Sequence, residues 1–282
     1  MKVIYTFMER VEIPTFVKWA GGKKQLIEQF KQYFPKNIED YYEPFVGGGA
    51  VLFYVLQTHK PKKILISDIN EELINCLNVI KNNVEVLISK LKEHKELHNK
   101  EYFYKIRKLN HKEISSIESA SRFIYLNKTC FNGLYRVNSK GEFNVPIGSY
   151  KNPSIVMEQD LRLISKLLHN VEIKVMSFDK VLEYAKKNDF VYFDPPYYPL
   201  NKTSSFTSYT KDSFLEKEQK QLAEVFTELD KKGCKIMLSN SDTEFIKNLY
   251  NNYKINLVQA RRMINSDPTK RGKINEIVVT NY

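Results

Sequence analysis

Tyr41-Tyr42-Glu43-Pro44-Phe45-Val46, then Gly47-Gly48-Gly49, then Ala50 to Leu56, then Lys63-Ile64-Leu65-Ile66-Ser67-Asp68 read in order as strand, glycine turn, helix and strand. Two strands joined through a helix make a βαβ unit, for which parallel pairing and a right-handed crossover are the default. That unit predicts an α/β fold. Downstream, Glu172 to Met176, Phe190-Val191-Tyr192-Phe193 and Lys235-Ile236-Met237-Leu238-Ser239 add further strands, and Ile255 to Ala260 with Asn275 to Thr280 close the sheet as an antiparallel pair. Upstream, Phe16 to Trp19 reads as a short strand, followed by Ala20-Gly21-Gly22-Lys23 and an amphipathic helix carrying Leu26, Ile27 and Phe30.

Between the second strand and the third, the pattern changes. Leu73, Leu77, Ile80, Val84, Leu87 and Leu91 step by three and four along one long helix. Residues 92–120 are strongly polar, with helical pattern around Tyr102 to Leu109, and Cys130 to Tyr150 is rich in loop residues. The chain therefore divides into a first sheet portion at 1–70, an inserted segment at 71–170, and a second sheet portion at 171–282.

Composition narrows the classes. The 282 residues are 42% hydrophobic and 27% charged, as expected of a globular chain with a sizeable core. No apolar run is long enough to span a bilayer. Lys2, Glu9, Arg10 and Glu12 interrupt the first thirteen residues, so no secretory core is present there, and a cytoplasmic location is expected. Cys76, Cys130 and Cys234 are three and far apart, which argues against a disulfide framework or a thiolate zinc site. His94 and His98 stand four apart on the probable helix, yet Lys and Glu surround them and no third ligand is evident; the pair reads as a solvated face, and no metal is expected. No nucleophilic Ser or Cys motif occurs. The net charge of +11 would attract a polyanionic partner through counterion release, although many basic proteins bind nothing specific and charge alone does not choose.

Ligands of open α/β sheets bind beyond the carboxyl ends of the strands, and three sets of residues fall there. Phe45-Val46-Gly47-Gly48-Gly49 lets backbone approach a ligand closely, although a plain tight turn is the other reading. Asp68 ends the next strand, where a carboxylate suits the hydroxyls of a ribose; capping of the helix beginning near Asn70 is the alternative. Phe193-Asp194-Pro195-Pro196-Tyr197 is the most specific. Its two prolines stiffen the chain and remove backbone donors, leaving the carbonyls of Asp194 and Pro195 as acceptors for an amine, while Tyr197 offers a face to a base. Methylation of an exocyclic amine needs such acceptors. The amine lone pair is delocalised into the ring until hydrogen-bond acceptors draw the nitrogen toward tetrahedral geometry, and a carboxylate then stabilises the charge that develops.

Lys18-Trp19-Ala20-Gly21-Gly22-Lys23, Glu43 to Gly49, Ser67-Asp68-Ile69-Asn70, Asn132-Gly133-Leu134-Tyr135-Arg136, Gly141 to Pro146 and Asp194-Pro195-Pro196-Tyr197 together resemble the Dam-type, alpha-class (D12) DNA adenine-N6 methyltransferases, in the same order, from about Phe16 to Tyr282. The resemblance implies a Rossmann-like S-adenosylmethionine-dependent methyltransferase sheet with an inserted, mostly helical target-recognition domain that carries a β-hairpin. It implies S-adenosylmethionine as cofactor, contacted by Trp19, Lys23, Asp68 and Asp194, with Phe45, Gly47, Gly48 and Gly49 forming its pocket and Phe178-Asp179 beside its adenine. It implies Asp194, Pro195, Pro196 and Tyr197 as catalytic, acting on an adenine flipped out of duplex DNA, commonly within GATC, by solitary enzymes and by those of restriction-modification systems alike.

By the same resemblance Phe131 to Tyr150 is the hairpin that enters DNA, with Lys18, Phe131, Asn132, Leu134, Arg136, Pro146 and Tyr150 facing it. Arg136 suits bidentate reading of guanine, and Leu134 and Pro146 suit apolar contact with bases; a solvated surface arginine is the alternative. Ser149 stands where several relatives have a basic residue, and Phe131 where some have tyrosine. Leu200 to Thr210 suits a substrate loop, with an ordinary solvated loop as the alternative, and Arg261-Arg262 and Lys270-Arg271-Gly272-Lys273 suit phosphates, with a plain charged surface as the alternative. Two other functions compete with this one: the same cofactor with RNA or a protein amide as acceptor, and a DNA-binding protein that has lost catalysis.

Overall fold

The computed structural model describes residues 11–200, 214–261 and 273–282. Seven strands form one sheet: β1 Tyr41–Glu43, β2 Ile64–Asp68, β3 Glu172–Val175, β4 Phe190–Phe193, β5 Lys235–Ser241, β6 Lys254–Arg261 and β7 Lys273–Thr280, in the order β3-β2-β1-β4-β5-β7-β6. β1 to β5 pair in parallel, and β7 runs antiparallel between β5 and β6. The chain winds outward from β1 through β2 to β3, then restarts at β4 on the other side of β1. Strand order thus reverses between β1 and β4, and a crevice opens there at the carboxyl ends.

Strand residues alternate between two apolar layers, as the pleat requires. Tyr41, Ile66, Tyr192 and Met237 face one cluster, and Tyr42, Leu65, Val191 and Leu238 the other. The first face is covered by α1 Ile27–Phe30, α2 Ala50–Thr58, α3 Glu71–Glu96 and α6 Glu158–Leu167, the second by α7 Glu216–Lys231 and α8 Glu244–Leu249. α4 Lys100–Arg107 and α5 Ser116–Thr129 continue the first layer away from the sheet, with α5 laid along α3. Phe103, Phe123 and Val145 share a single core with Tyr41 and Phe53, so the inserted segment and the sheet are packed as one apolar body. α3 lies against β2 and β3, and α6 returns onto α2 and α3. No helix among the described residues is long and apolar enough to cross a membrane.

Local chemistry sets the boundaries. Asn70 caps α3 by accepting Leu73 N–H at 3.0 Å, and Ser115 with Glu118 forms a reciprocal capping box on α5. α3 bends at Asn83, whose φ of −139° breaks the helical run.

Three expectations change. Phe16 to Trp19 is not a strand but a bend with Phe16 and Val17 buried; the side chain of Asn127 bonds both backbone groups of Lys18, at 2.7 and 2.9 Å, and takes the place of a neighbouring strand. The helix expected after Lys23 is split into a 3₁₀ turn at Lys23–Gln25, the single turn α1 and a second 3₁₀ turn at Lys31–Tyr33. His94 and His98 do not lie on a solvated face. His94 is buried, with Nδ1 at 2.7 Å from the Tyr102 hydroxyl and its ring stacked on Tyr125, and His98 Nδ1 meets the Tyr125 hydroxyl at 2.8 Å. The segment 130–150 is a hairpin in outline, held by the isolated bridges Cys130–Ile147 and Val137–Phe143.

Candidate functional site

The turn after β1 is shaped by what glycine permits. Gly47 and Gly49 have φ of +47° and +72°, in the left-handed region. A Cβ at Gly47 would sit 2.8 Å from the Trp19 ring, and one at Gly49 would sit 2.9 Å from Phe53. The glycines therefore allow Trp19 to lie on bare backbone. Asp68, at the end of β2, ties this turn to the next one, accepting Gly47 N–H at 3.2 Å and Asn70 N–H at 3.0 Å. Helix capping falls to Asn70, so the Asp68 carboxylate serves the strand-end loops. Burial pushes its pKa up to about 6, against the pull of those backbone donors. Phe45 stacks on Phe178 at 5.4 Å between centroids, and Phe214 meets Phe45 edge-on at 5.6 Å, which gives the pocket an apolar wall.

The turn after β4 carries the second centre. Asp194 Oδ1 is 2.8 Å from Lys23 Nζ and accepts from Ser239 Oγ at 2.9 Å, and Ser239 in turn meets the Tyr192 hydroxyl at 2.8 Å. Among the described residues no partner falls on Oδ2. Burial raises the Asp194 pKa, while the Lys23 charge and the bonds from Lys23 and Ser239 hold it down. Lys23 Nζ also stands 4.6 Å over the Tyr197 ring and donates to the Gly21 carbonyl. Tyr197 is fixed at its far end by donating to Glu276 Oε2 at 2.8 Å.

The Pro-Pro-Tyr turn is clamped from β5 and α7. Gln219 Nε2 donates to the Pro196 carbonyl at 2.9 Å, Asn240 Oδ1 accepts Tyr198 N–H at 3.2 Å, and Ser241 Oγ donates to the Tyr198 carbonyl at 2.7 Å. Sequence reading missed Ser239, Asn240 and Ser241, though a polar run ending an apolar strand at the same sheet edge is the kind of signal that marked Asp68 and Asp194. Glu276 and Gln219 carry no such local signal. Glu43, also unforeseen, is a buried carboxyl in the cavity wall that accepts from the Tyr41 hydroxyl at 2.7 Å. Burial raises its pKa well above the usual range, and the nearby Asp194 charge adds to that.

Both centres open into one cavity of about 1690 Å³. Its wall brings together Lys18, Trp19, Lys23, Phe45, Gly47, Gly48, Gly49, Asp68, Phe178 and Asp194 through Tyr197. Asp179 follows Phe178 on a 3₁₀ turn but is not part of that wall. Phe131, Asn132, Leu134, Arg136, Pro146 and Tyr150 also lie outside it, on the hairpin segment. There Phe131 is 51% exposed, and Lys18 Nζ bonds the Tyr150 hydroxyl at 3.1 Å, tying the cavity rim to this segment. Arg136 is exposed, its Nε donating to Asn144 Oδ1 at 2.7 Å across the strands. Of the other expectations, all but Leu200 of Leu200 to Thr210, and the clusters 261–262 and 270–273 apart from strand backbone at their ends, lie outside the described residues.

The family model for D12 class N6 adenine-specific DNA methyltransferases matches residues 19–264. The chain is 50% identical to the type II methyltransferase M.MjaIII of Methanocaldococcus jannaschii, over 96% of this chain and 100% of that protein. It is 43% identical to the type II methyltransferase M1.LlaDCHI of Lactococcus lactis subsp. cremoris, over 97% of each. It is 36% identical to the DNA adenine methylase of Escherichia coli, over 93% of each.

Proposed function

This chain belongs to the D12 class of N6 adenine-specific DNA methyltransferases, and from that premise we propose that it uses S-adenosylmethionine, receives an adenine turned out of duplex DNA, and acts at GATC. The family removes RNA and protein amides as the principal acceptor, and it makes the chain an enzyme rather than a silent DNA-binding protein. The finer reading rests on the site. One observation carries it: Lys23 and Ser239 both occupy Asp194 Oδ1, while among the described residues no partner meets Oδ2, which leaves that oxygen for the exocyclic amine of a base.

The residues present fit the methyl donor. Bare glycine backbone under Trp19, the Asp68 carboxylate anchored by two amides, and the Phe45–Phe178 wall suit an amino-acid nucleoside with a ribose and a purine. When bound, S-adenosylmethionine supplies an electrophilic methyl group on a sulfonium.

The chain's own residues do the rest. Asp194 Oδ2 and the Pro195 carbonyl accept the two N6 hydrogens and turn the lone pair out of the ring plane. Tyr197, its hydroxyl held by Glu276, keeps a rigid face against the base. The N–C bond would form as the donor's methyl–sulfur bond breaks and its electron pair stays on sulfur; positive charge grows on N6, the Asp194 carboxylate stabilises it, and one N6 proton then leaves through Asp194 to water. Lys23 and Ser239, both on Oδ1, aim the carboxylate and oppose the upward shift that burial imposes on it.

We assign DNA reading to the inserted segment, with Arg136 and its neighbours on the hairpin entering the grooves and the +11 charge supplying phosphate attraction. The similarity to two type II methyltransferases supports reading the chain as the modification enzyme of a restriction system. The test is transfer of labelled methyl to duplexes containing GATC, to the same duplexes with GATC scrambled, and to RNA of equal length. Label confined to the GATC duplex is expected; equal label on the scrambled duplex contradicts the site assignment.

A further inference from the structure

Tyr135 and Arg136 are neighbours on the extended backbone of the hairpin and point opposite ways. Arg136 is exposed, while Tyr135 is buried and turned into the cavity wall. The Tyr135 hydroxyl donates to Glu72 Oε1 at 2.8 Å, and Arg122 donates to the other oxygen, Glu72 Oε2, at 2.8 Å. Both charged groups are only 3% exposed. Two further Arg122 donors reach the carbonyls of Ile106 and Arg107 at the end of α4, so each guanidinium nitrogen makes a hydrogen bond and Glu72 is held in one position. Glu72 belongs to the first turn of α3, four residues after Asp68.

The ring of Tyr135 completes a circuit. It stacks on Trp19 at 5.8 Å between centroids and 29° between planes. Trp19 lies on Gly47 and Gly48, and Gly47 N–H bonds Asp68. Contacts therefore run from Asp68 through α3 to Glu72, then Tyr135, Trp19 and Gly47, and back to Asp68. This closed ring borders the pocket assigned to the methyl donor, and one member is covalently next to the residue assigned to guanine reading.

Resting on the donor and DNA assignments above, we propose that Tyr135, fixed by Glu72, is a positioning residue that couples occupancy of the donor pocket to the placement of Arg136, so that donor and cognate DNA strengthen each other's binding. A donor packed on the Trp19–Gly47 face fixes the stack on which Tyr135 rests, and with it the backbone that presents Arg136. Coupling of this kind is reciprocal, so DNA tightens donor binding by the same factor. The hydroxyl matters because without it the ring can slide on Trp19, and the register between the two sites is lost.

The test is a binding cycle on the full chain, with S-adenosylhomocysteine as the donor-site probe and GATC and scrambled duplexes as DNA. In the unaltered chain the probe is expected to tighten GATC binding by about fivefold or more, with a smaller effect on the scrambled duplex. In Tyr135→Phe, with the probe at saturation so that any change in its own affinity does not enter, that factor falls to within about twofold of unity while the circular dichroism spectrum stays as before. Glu72→Gln leaves one acceptor oxygen for two donors, Arg122 and the Tyr135 hydroxyl, and is expected to lower the coupling factor as well. An unchanged coupling factor in folded Tyr135→Phe overturns the proposal while leaving the donor and GATC assignments intact. Failure of the unaltered chain to bind the probe, or to prefer GATC, overturns those assignments and this coupling with them.

Discussion

Lys23 Nζ and Asp194 Oδ1 are 2.8 Å apart, joining the turn that precedes α1 to the turn that follows β4. Lys23 is 3% exposed. A carboxylate beyond β4 would be pushed toward its neutral form by burial alone, and the ammonium opposes that shift. The net shift remains upward, so the ammonium offsets only part of the burial effect; on the role proposed for Asp194, the carboxylate charge gives the first prediction.

Asp194→Asn keeps the shape of the side chain and removes its charge. The expected result is a fall in kcat of about 10²–10³-fold, with affinity for a GATC duplex changed by less than about threefold. Single-turnover methylation and fluorescence anisotropy separate the two; near-normal kcat would remove Asp194 from its assigned role.

Asp68 gives a pH dependence. Its folded pKa is about 6 against an ordinary value of 3.8, so it takes up a proton as pH falls through about 6 and ceases to be a purely accepting group. Affinity for a donor analogue should weaken across that window, and Asp68→Asn should flatten the profile, as isothermal titration between pH 5 and 8 can show. Stability runs the other way. A carboxyl with a raised folded pKa contributes stability in full below its unfolded pKa and loses it as pH rises through about 6.

Asn127 is fully buried and bonds both backbone groups of Lys18 and the Gly133 carbonyl. Asn127→Ala leaves those groups unpaired, and urea unfolding should show a loss of about 2–4 kcal/mol. A loss below about 0.5 kcal/mol would mean that water replaces the amide readily and that this side chain is not what holds the Lys18 segment.

Arg136 donates to Asn144 in the free chain and is exposed, so its truncation should cost little stability. Arg136→Ala should lower discrimination at one guanine by about 1–3 kcal/mol, read from duplexes substituted at each position of the site. Uniform weakening at all positions would indicate a phosphate contact instead.

Much of this was legible in the residues themselves. Gly47 to Gly49, Asp68 and Asp194 announce themselves because each ends an apolar strand, and that rule is local. The long α3 is equally plain from its apolar stepping. What escaped depends on partners distant in the chain. Phe16 to Trp19 has the residues of a strand, but Asn127 occupies the place of its neighbour. His94 looks solvated among Lys and Glu, yet Tyr102 and Tyr125 enclose it from other helices. Glu276 joins Tyr197 only because β7 inserts between β5 and β6. The recognition sequence is the least legible, since GATC comes from family resemblance and from no distance in the site.

The most direct test of the central claim is a map of N6-methyladenine across DNA from cells lacking other adenine methylases and expressing either this chain or Asp194→Ala. The expected map has methylation at the adenine of nearly every GATC with the unaltered chain and none with the variant. Methylation absent from both, or spread over adenines without regard to GATC, would contradict it.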